Sequence, residues 1–371
     1  MLSRFDDYPI HQTPEPIAHS ASSDQNFYDR YFFNGYSKDG QLFFAMALGV
    51  YPNRRVMDAA FNVVVDGRQH VVRASRLAPR ERSETRVGPI SLSIEDPMRH
   101  LRWQVAPNDF EIRADLDFHA RSAAVEEPRF VHHIGHQVMM DVTRITQFGR
   151  WEGSIQIGSD RFEVDVDSIL GCRDRSWGIR PIGERHEAAP GAPPQFFWLW
   201  APLHFDEFCT HFDVNEDAEG RRWHWNGNRI GLIADADADP LDPELVESMR
   251  SVSHEIRWEP GTRRAASATI TLEPHHGEAH RIELEPLLTF QMLGLGYLHP
   301  EWGHGMWKGS LAVDGESWRL KDLDPMDPRH LHVQQLCRAR LGDQDGVGVF
   351  EQLVIGPHRP TGLTSILDPA A

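Results

Sequence analysis

The residue types best suited to chemistry are gathered in Gly171-Cys172-Arg173-Asp174-Arg175-Ser176-Trp177-Gly178-Ile179-Arg180-Pro181, where three arginines surround one aspartate beside a tryptophan. An extended backbone sends Arg173, Arg175 and Trp177 to one side and Asp174 and Ser176 to the other. A turn at Gly178 would then bring Arg180 around. A carboxyl group kept partly protonated by burial serves as a general acid. The same carboxyl flanked by guanidinium groups is pulled the other way and becomes a structural ion-pair network. Both roles stand open for Asp174. In the first, Arg173 and Arg180 position the segment and Trp177 faces a ligand.

Two further stretches carry candidate residues. In Phe196-Phe197-Trp198-Leu199-Trp200 a strand puts Phe196, Trp198 and Trp200 on one face. Such a stripe is either core or the wall of a cavity for a flat apolar ligand. In 346–358 the residues Val349, Glu351, Leu353 and Ile355 share a face. A carboxylate among aliphatics is costly unless paired. Glu351 therefore either bridges to an arginine at a domain seam or lines a cavity together with Asp174.

Other chemistries find no support. There is no phosphate loop, nucleophile elbow or H-E-x-x-H, and Gly294-Leu295-Gly296 lacks the third glycine of a dinucleotide loop. Asp213-Val214-Asn215-Glu216-Asp217-Ala218 starts like a calcium loop, but Ala218 stands where the turn glycine belongs. The groups His132/His133/His136, His275/His276/His280 and His330/His332 come without a carboxylate or cysteine at ligand spacing, so no metal is expected. Only Lys38, Lys308 and Lys321 are lysine, which leaves few candidates for Schiff-base chemistry. Cys172, Cys209 and Cys337 are odd in number and far apart, so a reducing, cytoplasmic setting is expected. No organic cofactor is expected either. A net charge of −17 repels phosphate backbones, and the longest apolar runs fall far short of a membrane span. The expected partner is an apolar small molecule, with neither nucleic acid nor an integral membrane span.

The elements that must position these residues read as strands. In 109–119, Phe110, Ile112, Ala114, Leu116 and Phe118 alternate with polar residues. Similar alternation recurs in 90–94, 162–166, 268–272 and 282–284. Asp66-Gly67, Asn226-Gly227 and Asp314-Gly315 are expected at tight hairpin turns. The one helix start is Asp242-Pro243-Glu244. The fold class is therefore all-β with few short helices.

One internal repeat is visible. Trp151-Glu152-Gly153-Ser154 matches Trp307-Lys308-Gly309-Ser310, and each is followed by alternating aliphatics. A duplicated β-domain explains the match, with the two tryptophans at equivalent places on superposable hairpins. The proline- and glycine-containing stretch 183–195 suits the connection. The expected organisation is an N-terminal arm over 1–27, a first β-domain over 28–188 and a second over 189–371.

The Gly-x-Arg-Asp-x-Ser-Trp-Gly-x-Arg pattern at 171–180 resembles the signature of the carotenoid 1,2-hydratase (hydroxyneurosporene synthase) superfamily, whose fungal relatives include intramolecular Diels–Alderases. Tyr31-Phe32-Phe33-Asn34, Leu48-Gly49-Val50-Tyr51-Pro52-Asn53, Trp302-Gly303-His304-Gly305 and Gly348-Val349-Phe350-Glu351-Gln352-Leu353 extend the resemblance over roughly 25–368. The signature more often has His where this chain has Arg175. The resemblance implies two antiparallel, lipocalin-like barrel or sandwich domains, an apolar ligand near their seam, Asp174 as the acid, and no metal or organic cofactor. The function this suggests is a hydratase, isomerase or cyclase that protonates an alkene of a large isoprenoid-like substrate. The alternative is a non-catalytic carrier of lipids, steroids or aromatics; a scaffold role ranks last.

Overall fold

A computed structural model of the chain describes residues 2–184, 194–235 and 237–370. Most of the expected 183–195 connection thus lies outside the described residues. The first half carries β1 (Phe27–Ser37), β2 (Leu42–Tyr51), β3 (Val56–Val65), β4 (Arg68–Leu77), β5 (Arg86–Val87), β6 (Ile90–Asp96), β7 (His100–Val105), β8 (Ile112–Ala120), β9 (Val125–Glu126), β10 (Phe130–Ile134), β11 (Gln137–Ile157), β12 (Asp160–Val164) and β13 (Ile169–Ile179). The second half carries β14 (Phe196–His204), β15 (Phe208–Glu216), β16 (Arg222–Gly231), β17 (Val246–Ser248), β18 (Ser251–Trp258), β19 (Ala265–Glu273), β20 (His280–Gln291), β21 (Leu311–Arg319), β22 (His332–Leu341) and β23 (Gln344–Ile355). The protein is nearly all-β and 6% helical, and its two curled antiparallel sheets form a barrel and a half-barrel.

One sheet runs β21-β4-β3-β2-β1-β13-β11-β8-β7-β6-β5, with β9, β10 and β12 paired to β11. The other runs β17-β16-β15-β14-β23-β22-β20-β19-β18. Strand β21 belongs by sequence to the second half, yet it pairs antiparallel with β4 at the edge of the first sheet. This corrects the reading of the tryptophan repeat. Trp151 is buried inside β11 and its Nε1 donates to the Asn34 carbonyl at 2.8 Å. Trp307 is 56% exposed in the irregular stretch before β21. The two do not occupy equivalent hairpins.

Turn chemistry was legible at one of three places. Asp66 and Gly67 both have positive φ and close the β3–β4 hairpin. Gly227 lies within β16 and Gly315 within β21. At Gly227 a Cβ would come within 2.5 Å of Val252, and at Gly315 within 2.5 Å of Phe110, so both glycines serve close approach rather than reversal. The Asp242 start is a three-residue 3₁₀ turn, Pro243–Leu245, that leads directly into β17.

Alternation along each strand distributes the core. One cluster around Trp103, Phe118 and Trp151 draws only on the first sheet, and one around Phe212, Ile270 and Phe350 only on the second. The third lies between the sheets. It takes Tyr28, Phe32 and Tyr36 from β1, Cys172 from β13 and Phe148 from β11, and meets Trp198, Trp200, Cys209 and Val349 from the other side. Because both faces of β14 are buried, this strand is apolar almost throughout.

Candidate active site

Asp174 sits at the middle of β13, and the strand register builds its surroundings. Its pair on β1 is Phe32 and its pair on β11 is Thr146. One step along the same face, Ser176 is flanked by Arg30 on β1 and Arg144 on β11. One step the other way, Cys172 lies beside Phe148 and hydrogen-bonds through its N–H to Asn34 Oδ1 at 2.9 Å. This face looks into the core between the sheets, while Arg173, Arg175 and Trp177 take the opposite face, as an extended segment requires.

The Asp174 carboxyl is half-buried and makes no hydrogen bond or ion pair among the described residues. Burial disfavours its charged form and raises its pKa to about 6, against the pull of Arg144 and Arg30; the negative charges of Glu127 and Glu351 add to the rise. The neighbouring arginines are occupied elsewhere. Arg173 donates Nε and Nη2 to Gln147 Oε1 at 2.9 and 2.8 Å. Arg175 pairs with Asp29. Arg180 reaches His304 Nδ1 at 3.2 Å and lies over the Tyr28 ring at 4.6 Å. A second raised carboxyl, Asp58, is likewise pushed up to about 6 by burial. It is already engaged, accepting from Tyr51 Oη at 3.0 Å and from the Gly305 N–H at 2.7 Å.

Glu351 faces the same seam from β23. Its partner is a histidine and not the arginine expected as one option. His332 Nε2 lies 2.6 Å from Glu351 Oε1, Trp198 Nε1 donates to that oxygen at 3.2 Å, and Gln334 donates to Oε2 at 2.7 Å. Burial alone would raise this carboxyl, but His332 and the two donors outweigh it and hold its pKa below the ordinary glutamate value. His332 Nδ1 is buried with no partner among the described residues. The site thus holds two carboxyl groups whose surroundings push them apart, the pattern of an acid paired with a persistently charged group.

Beside them lies a cluster that sequence reasoning missed. Glu127, His211 and Asp213 are all buried, with His211 Nε2 at 3.5 Å from Glu127 Oε1 and 3.6 Å from Asp213 Oδ2. His224 Nε2 is 3.0 Å from Asp213 Oδ1. One ligand atom each of Glu127, His211 and Asp213 lies within 4.8 Å of the others, close enough to share one metal ion. Arg144 occupies the centre of the same group. It pairs with Glu127, reaches Asp213 Oδ2 at 3.3 Å, and stacks over Phe130, Trp198 and Trp200 at 4.7, 4.8 and 5.8 Å. It supplies part of the positive charge that the two carboxylates require. One signal was available. In β15 the alternate positions His211, Asp213 and Asn215 are polar although the whole strand is buried.

The structure therefore gathers Asp174, Glu351, Trp198 and Trp200 at one seam and adds Arg30, Arg144, Glu127, His211, Asp213 and His332. Arg173 and Trp177 are not brought there, because parity turns them away; Trp177 is 36% exposed. Arg180 reaches the rim of the seam through Tyr28 and Tyr297. A cavity of about 20 Å³, room for one water, lies against Asp58, Leu295 and His304. An open groove of about 600 Å³ lies at the β3–β4 turn beside Phe162 and Lys321. Neither is lined by Trp198, Trp200 or Asp174.

These features define a lipocalin-like β-protein of two curled sheets with a polar seam between them. The chain belongs to the family of unknown function DUF8625, whose model matches residues 2–364. Among solved structures it is similar to kievitone hydratase from Nectria haematococca, at 12% identity over 88% of each chain with a TM-score of 0.51. It is also similar to a Nitrosomonas europaea protein that carries the name AttH, at 11% identity over 93% of this chain and 98% of that one with a TM-score of 0.54. At these identities the likeness is one of fold. No curated protein matches the sequence. No described helix is long and apolar enough to cross a membrane.

Proposed function

We propose that the protein is a cofactor-independent hydratase, isomerase or cyclase that works by acid catalysis on a carbon–carbon double bond of a large apolar substrate held between the two sheets. The observation that carries this reading is the Asp174 carboxyl, which faces the seam unpaired and is raised to about 6 by burial, while Arg144 and Arg175 pair with other carboxylates and Arg173 with Gln147. In its protonated form Asp174 delivers the proton to one alkene carbon, leaving the carboxylate on the enzyme and a carbocation on the adjacent carbon. The indole faces of Trp198 and Trp200 attract such a cation. Addition of water with loss of a proton completes a hydration, loss of a neighbouring proton completes an isomerisation, and attack by a second alkene followed by loss of a proton from the new cation completes a cyclisation. His332, held by Glu351 through Nε2, offers Nδ1 as the acceptor for the departing proton.

That kievitone hydratase shares the fold supports the reaction class. An isoprenoid-like substrate is the finer reading suggested by the resemblance to carotenoid 1,2-hydratases. The two cavities described above lie apart from Asp174. The test is Asp174→Asn, assayed on alkene-bearing substrates by product analysis. Turnover should fall by roughly 10²–10⁴ with the substrate still bound. A folded variant with unchanged turnover overturns the acid role. Ligand binding without turnover in the wild type marks a carrier instead.

A further inference from the structure

Among the described residues, Arg30 leaves two adjacent guanidinium donors unmet, where Arg121 and Arg180 each leave only Nε. Arg30 on β1 is 2% exposed. Its Nη1 donates to Tyr297 Oη at 2.7 Å, and the guanidinium lies 5.0 Å from that ring's centroid. Its Nε and Nη2 are buried and have no hydrogen-bond partner among the described residues. These two atoms form one edge of the guanidinium, and their N–H bonds run parallel, as a fork matching two oxygens of a carboxylate or similar planar anion. The same edge is used that way elsewhere in this chain, where Arg102 presents Nε and Nη2 to the two oxygens of Asp115 at 2.8 and 2.7 Å.

An unmet pair of buried cationic donors is among the costlier features a fold can carry. Asp174, one register step away on the same face, and Asp58, in register across Gly49, both feel this charge, and neither fills the fork. The other arginines along this face differ. Arg144 is spent on Glu127 and Asp213, and Arg121 gives Nη1 and Nη2 to His204 and the carbonyls of Phe205 and Asp206, which leaves a single Nε and no fork. Arg30 is thus poised toward the place where the proposed substrate would lie.

We infer that Arg30 is the anchor for a planar two-oxygen anionic group, a carboxylate or the enolate of a 1,3-dicarbonyl, carried by the apolar ligand and seated on Nε–H and Nη2–H beside Asp174. This rests on the proposed apolar binding at the seam and narrows its ligand class from a hydrocarbon to an acidic amphiphile. The anchor fixes which double bond meets the acid. It also selects an anion against the repulsion of a chain with net charge −17.

The test compares retinoate with its methyl ester, which share one polyene and differ in the head group, by quenching of tryptophan fluorescence at pH 8. Retinoate should saturate at a concentration about tenfold or more below the ester, the size of effect two charge-assisted hydrogen bonds give. In Arg30→Met acid and ester should saturate alike; in Arg30→Lys, which keeps the charge but loses the fork, most of the advantage should remain lost. If wild-type protein binds acid and ester alike, the anchor is overturned, water serves the Arg30 edge, and the apolar reading stands. If neither probe binds, both readings fall. The wild-type comparison decides the question even where a variant does not fold.

Discussion

Asp174 and Glu351 show how neighbours set the behaviour of one functional group. Both are carboxyls at the same seam, yet burial raises one while His332 and its companions lower the other. The raised group has a consequence for stability. Its folded pKa of about 6 exceeds the ordinary 3.8, so the folded state holds the proton more tightly, and stability is lost as pH rises from about 4 to 6. Asp174→Asn should therefore stabilise the protein at pH 8 by on the order of 1–3 kcal/mol and leave stability unchanged below pH 4. Denaturant midpoints at the two pH values check this. On the proposed reading, kcat of the wild type should decline as pH climbs through about 6, since the acid form is then lost. Glu127→Gln makes the opposite case. It leaves Arg144 facing Asp213 alone in a buried site, and should cost about 3–5 kcal/mol by the same denaturant measurement.

At the scale of elements, β13 is held at an unusually close approach. A Cβ on Gly171 would lie 2.1 Å from the Asn34 carbonyl oxygen and 2.6 Å from Trp151 Nε1. The backbone of β1 and a buried indole cannot yield that much. Gly171→Ala should force β13 away from β1, destabilise the protein by more than about 3 kcal/mol, and displace Asp174 with it. Gly67→Ala is the control, because nothing lies within 4 Å of its Cβ and only the φ of 68° is strained; about 1 kcal/mol is expected. Thermal unfolding of the two variants separates crowding from backbone conformation. The same contrast explains why the hairpin reading succeeded at Asp66-Gly67 and failed at Gly227 and Gly315. Sequence marks a glycine but not whether it is needed for a turn or for a neighbour.

Over the whole molecule, the two halves of the chain are tied by more than the seam. Strand β21 from the second half covers the β4 edge of the first sheet, and Ser310 O accepts from the Leu77 N–H at 3.1 Å. A fragment of residues 1–184 alone exposes that edge together with the apolar inner face of β1 and β13. It should aggregate, because an unpaired edge recruits other strands. Co-expressed with residues 194–371 it should be rescued into a soluble complex, read by size-exclusion chromatography. A soluble, monomeric 1–184 fragment would mean that the halves fold independently and that β21 is ornamental.

The all-β class, most strands and the face each residue takes were legible in the sequence, because alternation at period two is a local property that burial on one side imposes. By that rule Asp174 was separated from Arg173, Arg175 and Trp177 before any fold was known, and Glu351 was placed with Val349 and Leu353. What lies across the gap is not local. That Arg144 joins Glu127 to Asp213 of the opposite sheet, and that β21 crosses to the other sheet, were decided only by which two surfaces the curled sheets bring together; His332 holds Glu351 within the β22–β23 hairpin, where the register of the pair decides it. Those contacts span 69 to 241 residues in the Arg144–Asp213 and Arg73–Asp314 pairs, far beyond any strand's period. Packing of whole sheets, and not the pattern within one, selects them.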